Sequence, residues 1–126
     1  MTTAANLSKI WQIAITYKNI DVSISFYHDI LGLDLSFRAN ENLAFLDADG
    51  IRIMLSTPQG ARAIGANSIL YFLVTDIETA SKLFVERGAN SERVPQLAAK
   101  MPDHELWIGF FRDPDGNIVG LMEEKR

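Results

Sequence analysis

The segment 101–107, with the sequence Met-Pro-Asp-His-Glu-Leu-Trp, holds the densest group of side chains that could do chemistry. A histidine flanked by two carboxylic acids could supply a general base or two ligands for a metal ion. Successive side chains of a strand point to opposite faces, so we do not expect His104 and Glu105 to converge on one atom. His104 and Trp107 are candidate ligand contacts. The plainer interpretation, which we favour for Asp103, is a loop entering a strand, with solvated charges and a tryptophan on the rim of a pocket.

Composition narrows the function further. The chain has no cysteine, which excludes disulfide and thiolate chemistry. The formal net charge is −4 and lysine and arginine form no run, so we expect no nucleic-acid partner and no membrane partner. No apolar stretch approaches the roughly 20 residues that span a bilayer, and no signal-peptide layout is seen, so we expect a cytoplasmic protein. Glycine-rich phosphate loops, serine nucleophile elbows and HExxH pairs are also missing from the sequence.

The elements that would position these residues form a repeat. In the first half, apolar periodicity predicts strands at residues 10–17, 33–38, 43–46 and 51–56, and a helix at residues 20–31. Asn19 is a suitable N-cap for this helix, and Gly32 follows its last apolar residue, as a helix-ending glycine does. At 126 residues the chain is long enough for one domain, or for two half-size modules that share a core.

The second half restarts the same pattern. It predicts a strand at residues 68–75, a helix at residues 77–87, a strand that begins at Val94 and breaks at Pro95, and a closing hairpin of strands at 105–112 and 117–122. Asp76 is the matching N-cap and Gly88 the matching helix end. A turn that ends in Asp-Gly and leads into an apolar strand occurs in both halves, at residues 47–50 and 113–116.

These patterns predict an α+β fold built from two tandem βαβββ modules within one domain, residues 1–126. The modules cover about residues 9–57 and 68–123 and are joined by a loop at 57–67. Neither module could bury both faces of its own sheet, so we expect the two sheets to form a cupped mixed sheet around a central cavity. A ligand would sit in that cavity.

The chain resembles the vicinal oxygen chelate superfamily, which includes glyoxalase I, bleomycin-resistance proteins and extradiol dioxygenases. The stretches that carry the resemblance are Gln-Ile-Ala-Ile-Thr-Tyr-Lys-Asn at 12–19, Ser-Phe-Tyr at 25–27 followed by Leu-Gly-Leu at 31–33, Val-Thr-Asp at 74–76, and Phe-Arg-Asp-Pro-Asp-Gly-Asn at 111–117. They extend over nearly the whole chain. The resemblance implies the fold, whereas the fold alone does not fix the chemistry.

The resemblance also implies a divalent metal in the cavity, held by one ligand from each of four strands. These ligand positions fall on Gln12, Met54, Ile69 and Gly120. Gln12 is compatible with such a site, but a methionine replaces an expected glutamate, and isoleucine and glycine offer no donor. A catalytic metal normally needs three protein ligands. We therefore expect no metal and no cofactor, and no catalytic residue can be named.

If the ligand positions face inward, strand alternation places mostly apolar side chains in the cavity. The expected inward residues are Gln12, Ala14 and Thr16; Arg52, Met54 and Ser56; Ile69, Tyr71 and Leu73; and Ile118, Gly120 and Met122. The candidate binding residues are Gln12, Arg52, Met54, Ile69, Tyr71, His104, Trp107 and Gly120. Arg52 would hold an anion, or would only extend into water at the mouth of the strand. Gln12 could equally be a buried amide with satisfied hydrogen bonds.

Three functions compete. The first is a binding protein of the bleomycin-resistance type for a small apolar or aromatic compound, held in part by an anion contact. The second is a glyoxalase-like lyase or isomerase, or a dioxygenase, with a rearranged metal site that uses Gln12 with His104 or the C-terminal glutamates. The third is an accessory domain with a vestigial pocket. Short members of the family often enclose the cavity across a two-fold interface, so the resemblance implies a homodimer. Whether residues 96–103 form a lid stays open.

Overall fold

The computed structural model of the protein describes Leu7, residues 9–57 and residues 68–126. The strands are β1 Gln12–Thr16, β2 Asp34–Asn40, β3 Leu43–Ala48, β4 Ile51–Ser56, β5 Leu70–Leu73, β6 Asn90–Lys100, β7 Glu105–Arg112 and β8 Ile118–Lys125. The helices are α1 Ile20–Ile24, which continues as a π-helical segment Ser25–Ile30, and α2 Ile77–Glu86. The predicted linker, apart from Thr57, lies outside the described residues.

The first module packs one helix on a four-stranded sheet with the strand order β1-β4-β3-β2. β1 runs parallel to β4, and the other neighbouring strands are antiparallel. The side-chain oxygen of Asn19 accepts hydrogen bonds from the backbone N–H groups of Asp21 and Val22, at 3.0 and 3.3 Å. This confirms the predicted N-cap. Gly32 ends the helical region with φ at +83°, a conformation that glycine adopts without strain.

The second half of the first helix is wider than an α-helix, which the sequence did not predict. The backbone N–H of Leu31 donates to the carbonyl of Phe26, five residues earlier, at 3.0 Å. This π-turn directs the adjacent rings of Phe26 and Tyr27 into the core together. The two rings meet edge to face with their centroids 5.0 Å apart. A regular 3.6-residue period would bury Tyr27 and leave Phe26 off the apolar stripe.

The second module repeats the first, with the strand order β5-β8-β7-β6 and a parallel β5–β8 pair. The carboxylate of Asp76 accepts from the backbone N–H of Thr79 at 3.1 Å, as an N-cap does. This hydrogen bond lowers the pKa of the Asp76 carboxyl. Gly88 closes the helical region with φ at +105°. The predicted α+β architecture of two βαβββ modules is therefore confirmed.

Two strands of the second module are longer than predicted. β6 continues through Pro95, where the sequence predicted a break, although its pairing with β7 shifts register between Arg93 and Gln96. β6 is an edge strand, so a residue without an N–H is tolerated there. Opposite it, Gly109 leaves the space that the ring needs, since a Cβ at this position would lie 3.3 Å from the Pro95 nitrogen. β8 extends to Lys125, so Glu123 and Glu124 lie within the strand and not beyond its end.

The longer β6 includes most of the segment 96–103, for which the sequence left open whether it forms a lid. Residues 96–100 are strand residues paired with β7, from Gln96 opposite Ile108 to Lys100 opposite Glu105, with a one-residue register shift between Leu97 and Ala99. The turn between the two strands is correspondingly short, and the backbone N–H of Met101 donates to the carbonyl of His104 at 2.8 Å. This part of the segment is therefore a sheet edge.

A buried core joins the helix-bearing faces of the two sheets. The turn between β7 and β8 links the modules directly. The phenol of Tyr27 donates to the carboxylate of Asp113 at 2.7 Å. Asp115 accepts from the backbone N–H of Lys18 at 2.8 Å and from the hydroxyl of Ser23 at 3.2 Å. The second module thus holds the first helix through hydrogen bonds as well as through apolar packing.

The opposite face of each sheet is open. In the second sheet Ile69, Tyr71 and Leu73 remain 42%, 48% and 69% exposed. In the first sheet Gln12 and Arg52 are exposed, whereas the alternate residues of the same strands are in the core. Among residues 9–57 and 68–126, neither helix has the length and apolar character needed to cross a bilayer.

Candidate functional site

The open face of the first sheet carries an ordered polar group on an apolar floor. Gln12 and Arg52 are opposite each other in the parallel β1–β4 pair. The side-chain oxygen of Gln12 accepts from the Arg52 Nε at 2.8 Å. The amide nitrogen of Gln12 donates to the sulfur of Met54 at 3.5 Å. These two contacts fix which end of the Gln12 amide faces the arginine. Gln12, Arg52 and Met54, three of the residues singled out from the sequence, are therefore brought together.

Arg52 is held in place with its terminal nitrogens available. Its guanidinium carbon lies 4.8 Å from the centroid of the Phe45 ring, a cation–π arrangement. Within the described part of the chain, the only hydrogen bond of this guanidinium is the one from Nε to Gln12. Asp47 lies opposite Arg52 on β3, but its carboxylate accepts from the backbone N–H of Gly50 and forms no ion pair with the described residues. The geometry suits the end of the guanidinium to a carboxylate or phosphate.

Sequence reasoning missed Phe45, which forms the floor under Arg52. Phe45 is 8% exposed, pairs with Met54 across β3 and β4, and stacks at 4.8 Å on the ring of Phe37. The sequence does contain an indication of this role, since Phe45 is one residue out of phase with the core positions of β3 and so belongs to the opposite face. It could be used only with the register between β3 and β4 in hand.

The open face of the second sheet is aromatic. Tyr71 and Gly120 are opposite each other in the parallel β5–β8 pair. The tyrosine ring lies over the glycine, because a Cβ built at position 120 would be 2.5 Å from Cδ1 of Tyr71. Phe110, which is opposite Gly120 on β7, meets the Tyr71 ring edge to face at 5.9 Å. Together with Ile69, these side chains make an apolar surface.

The residues at the four ligand positions do not fit a divalent metal. Gln12 has a single oxygen, and it already accepts from a cationic guanidinium, which would repel a metal ion at the same atom. Met54 presents a thioether that accepts from the Gln12 amide. Ile69 has no donor atom. Gly120 has no side chain, and the Tyr71 ring fills the space that a glutamate there would need.

His104 belongs to a cluster at the start of β7. Its Nδ1 lies 2.7 Å from a carboxylate oxygen of Asp103, and its Nε2 lies 3.7 Å from Glu124. Arg126 closes the ring by binding both carboxylates, at 2.6 and 2.9 Å. Hydrogen bonds from Arg126 and His104 lower the pKa of Asp103 to about 2. The imidazole is thus enclosed by ionic partners, and no described contact joins it to the Arg52 group.

Trp107 lies on the wrong face for the role expected of it. It packs against the core on the helix-bearing side of the second sheet. Its ring nitrogen donates to Glu105 at 3.1 Å, and the ammonium of Lys125 lies 4.5 Å from the ring centroid. Glu105 and Trp107 share a face, as strand alternation requires, and this face is turned away from the open side.

The structure also brings together three acidic side chains that the sequence did not group. Ligand atoms of Asp76, Glu78 and Glu123 lie within 4.8 Å of one another at the start of α2. Each has a protein partner: Asp76 caps Thr79, Glu123 accepts from the backbone N–H of Ile77 at 2.9 Å, and Glu78 pairs with Lys125. The longer β8 is what places Glu123 there. This group stabilises the start of α2.

Comparisons with known proteins agree with the fold. The family profile of the glyoxalase/bleomycin resistance protein/dioxygenase superfamily matches residues 9–121. The uncharacterized protein YraH of Bacillus subtilis (strain 168) is 28% identical over 131 residues, which cover 91% of this chain and 98% of YraH.

Two solved structures show the same fold at low sequence identity. The antibiotic-binding protein TnmS3 from Streptomyces sp. CB03234 has a TM-score of 0.79 and 19% identity, covering 98% of this chain and all of that one (100%). The virulence protein STM3117 from Salmonella typhimurium has a TM-score of 0.77 and 22% identity, covering 94% of this chain and 98% of that one. With the profile match over nearly its whole length, the chain belongs to the glyoxalase/bleomycin resistance protein/dioxygenase superfamily.

Proposed function

We propose that this protein binds a small, mainly apolar or aromatic anion, and that it does so without the divalent metal of its family. The observation that carries the proposal is the Arg52 guanidinium, which is oriented by Gln12 and Phe45 and keeps its terminal nitrogens accessible. A charged group held this way loses little conformational freedom when an anion binds. Met54 and Phe45 next to it would contact the apolar part of the ligand.

The second sheet supports an aromatic or flat ligand. Tyr71 and Phe110 present ring surfaces on its open face. Stacking on such rings adds to the free energy gained from burying apolar area. The structural likeness to TnmS3, an antibiotic-binding protein, is consistent with a fold that binds a compound without necessarily transforming it.

The binding test compares Arg52→Gln with a matched charge removal elsewhere. Calorimetry with hydrophobic and aromatic carboxylates should show saturable binding to the wild type. Arg52→Gln should weaken it by about tenfold or more, since charge-assisted hydrogen bonds contribute about 1.5–3 kcal/mol. Lys82→Gln, on the exposed side of α2, should bind as the wild type does. Equal affinities for Arg52→Gln and the wild type would rule out the anion contact.

We also propose that the protein is a homodimer in which a second copy covers the open faces. Phe37 and Leu73 are 51% and 69% exposed, and large apolar side chains in open patches are typical of interfaces. Light scattering should give a dimer for the wild type and a monomer for Leu73→Glu. Val85→Glu is the matched control, because Val85 is 49% exposed on α2. A monomeric wild type would refute the proposal.

The alternative function is a metal-dependent lyase, isomerase or dioxygenase with a rearranged site. One observation favours it: His104 Nε2 and a Glu124 oxygen lie 3.7 Å apart at the end of the second sheet. Elemental analysis of protein purified without chelator decides between the two functions. Stoichiometric nickel, zinc, iron or manganese that is lost in His104→Ala would overturn our preference. Protein that binds carboxylates and carries no stoichiometric metal would support it.

A further inference from the structure

Ser56, the last residue of β4, has a hydroxyl that the fold does not use. The residue is 5% exposed, and its oxygen is the one buried side-chain polar atom without a hydrogen-bond partner among the described residues. A buried hydroxyl in this condition weakens folding, so such groups are rare unless another molecule satisfies them. Ser56 is two residues from Met54 and four from Arg52, so strand alternation puts all three on the open face of the first sheet.

Ser56 lines a cavity of about 550 Å³ at the end of that face, away from Arg52. Met54 and Leu43 supply its apolar wall, and the hairpin at residues 40–42 forms its rim. Met54 therefore lies between this cavity and the Gln12–Arg52 group and contacts both. Thr16, opposite Ser56 on β1, is fully buried.

The rim of the cavity is held in place. Arg38 donates to the backbone carbonyls of Asn40 and Glu41, each at 3.2 Å. The phenol of Tyr17 donates to the carbonyl of Asn42 at 2.7 Å. These contacts use backbone atoms and leave the carboxylate of Glu41 at the rim. The described residues that line the cavity include this carboxylate and no lysine or arginine, so a neutral hydroxyl or carbonyl suits it better than a second anionic group.

We propose that Ser56 is a binding residue for the far end of the ligand, and that the ligand is an elongated amphiphile. Its anion lies at Arg52, its apolar middle lies on Met54 and Phe45, and a neutral hydroxyl or carbonyl binds Ser56, whose hydroxyl turns from its buried position toward the cavity. Ser56 is four positions after Arg52 along the strand, which spaces their Cα atoms by about 13 Å. This inference rests on the proposed function, since it extends the same site along β4.

The test uses ω-hydroxy carboxylates of increasing chain length and the same carboxylates without the hydroxyl. Calorimetry should show that the wild type prefers the hydroxylated compound by about fivefold at one chain length, the effect of one neutral hydrogen bond. Ser56→Ala should lose that preference and bind the unsubstituted carboxylate as the wild type does. Ser36→Ala, an exposed serine on β2, is the matched control and should keep the preference.

Thermal denaturation separates binding from folding. Ser56→Ala should melt at the wild-type temperature or above it, because it removes a hydroxyl without a partner. If the wild type binds both compounds equally and Arg52→Gln abolishes binding, the Ser56 role is refuted and the proposed function stands. The same holds if Ser56→Ala keeps the preference. If no carboxylate binds the wild type, the proposed function fails and this inference fails with it.

Discussion

The two sheets share one topology but exchange the sizes of equivalent side chains on their open faces. In the first sheet a small residue on the edge strand, Ala14, lies beside Met54; in the second a large one, Tyr71, lies beside Gly120. Each pair combines one large and one small side chain, so each covers its patch of sheet. The outcome is a thioether beside a charged group on the first sheet and an aromatic surface on the second. Both modules therefore pair a large side chain with a small one at this position, while the chemistry of the two faces differs.

The two Asp-Gly turns differ in the same way. In the first, Asp47 makes a local contact, accepting from the backbone N–H of Gly50 at 3.2 Å. In the second, Asp113 is 4% exposed and accepts four hydrogen bonds at 2.7–2.9 Å. Three come from its own turn and one from Tyr27 in the other module. The Asp-Gly turn thus makes only local contacts in the first module, whereas in the second module it also makes a hydrogen bond to the other module.

The largest effect should separate these two aspartates. Asp113→Ala leaves several buried donors without an acceptor and should lower the free energy of unfolding by about 3 kcal/mol or more. Asp47→Ala removes one local hydrogen bond and should cost about 1 kcal/mol. Urea denaturation followed by circular dichroism measures both.

Asp113→Asn, which keeps one acceptor oxygen, should fall between these values if Asp113→Ala is too unstable to measure. Equal losses for Asp47→Ala and Asp113→Ala would contradict the assigned difference between the turns.

Local signals in the sequence were sufficient for the elements of both modules. Helix caps and helix-ending glycines depend only on neighbouring residues. The caps at Asn19 and Asp76 could therefore be predicted without knowledge of the fold. The π-turn at Phe26 was missed because it arises from the burial of two adjacent rings, which depends on tertiary packing and not on the local sequence. Pro95 interrupts the register with β7 but does not end the strand, because β6 is an edge strand, and this position in the sheet could not be predicted from the sequence.

The candidate site was harder to predict because it depends on register. Strand alternation placed Gln12, Arg52 and Met54 on one face, and the structure brings them into contact. The roles of Phe45 and Ser56 depend on contacts with the neighbouring strands, which the sequence alone does not give. Trp107 was predicted to contact the ligand but packs on the core side, because alternation groups residues without saying which group faces the core.

The next effect tests the exchange of sizes on the open faces. Gly120→Ala places a methyl group 2.5 Å from the Tyr71 ring, which must move, and should lower the free energy of unfolding by about 1–3 kcal/mol. In a Tyr71→Ala background the same change should cost little, since the ring is gone. A double-mutant cycle by urea denaturation gives the coupling between the two positions. Additive effects would show that the ring is not confined by Gly120.

A smaller effect, dependent on pH, distinguishes the two helices. Tyr27 corresponds to Phe84 in α2, and only Tyr27 carries an ionisable group. Burial, followed by the nearby negative charge of Asp113, raises the pKa of Tyr27 well above its usual value near 10. Above pH 10 the unfolded chain releases this proton and the folded chain keeps it, so stability should fall by up to about 1.4 kcal/mol per pH unit.

Tyr27→Phe makes the first helix resemble the second and should remove most of this alkaline slope. Tyr17, whose pKa is also raised by burial, would account for the remainder. The measurement is the free energy of unfolding below and above pH 10. An unchanged slope in Tyr27→Phe would assign the effect to other groups.

The smallest effect concerns the turn between β6 and β7. Arg126 and His104 hold the pKa of Asp103 at about 2, below its ordinary 3.8. The stabilisation from this pairing is therefore present above the ordinary pKa and is lost as the pH falls toward 2. Asp103 is exposed, so solvent screens the pairing and global stability should barely respond. Arg126→Gln should return the pKa of Asp103 toward its ordinary value in a carboxyl-carbon NMR titration. If that titration midpoint stays near 2, then His104 and not Arg126 holds the carboxylate, and the ring of charges would be anchored from the β7 side.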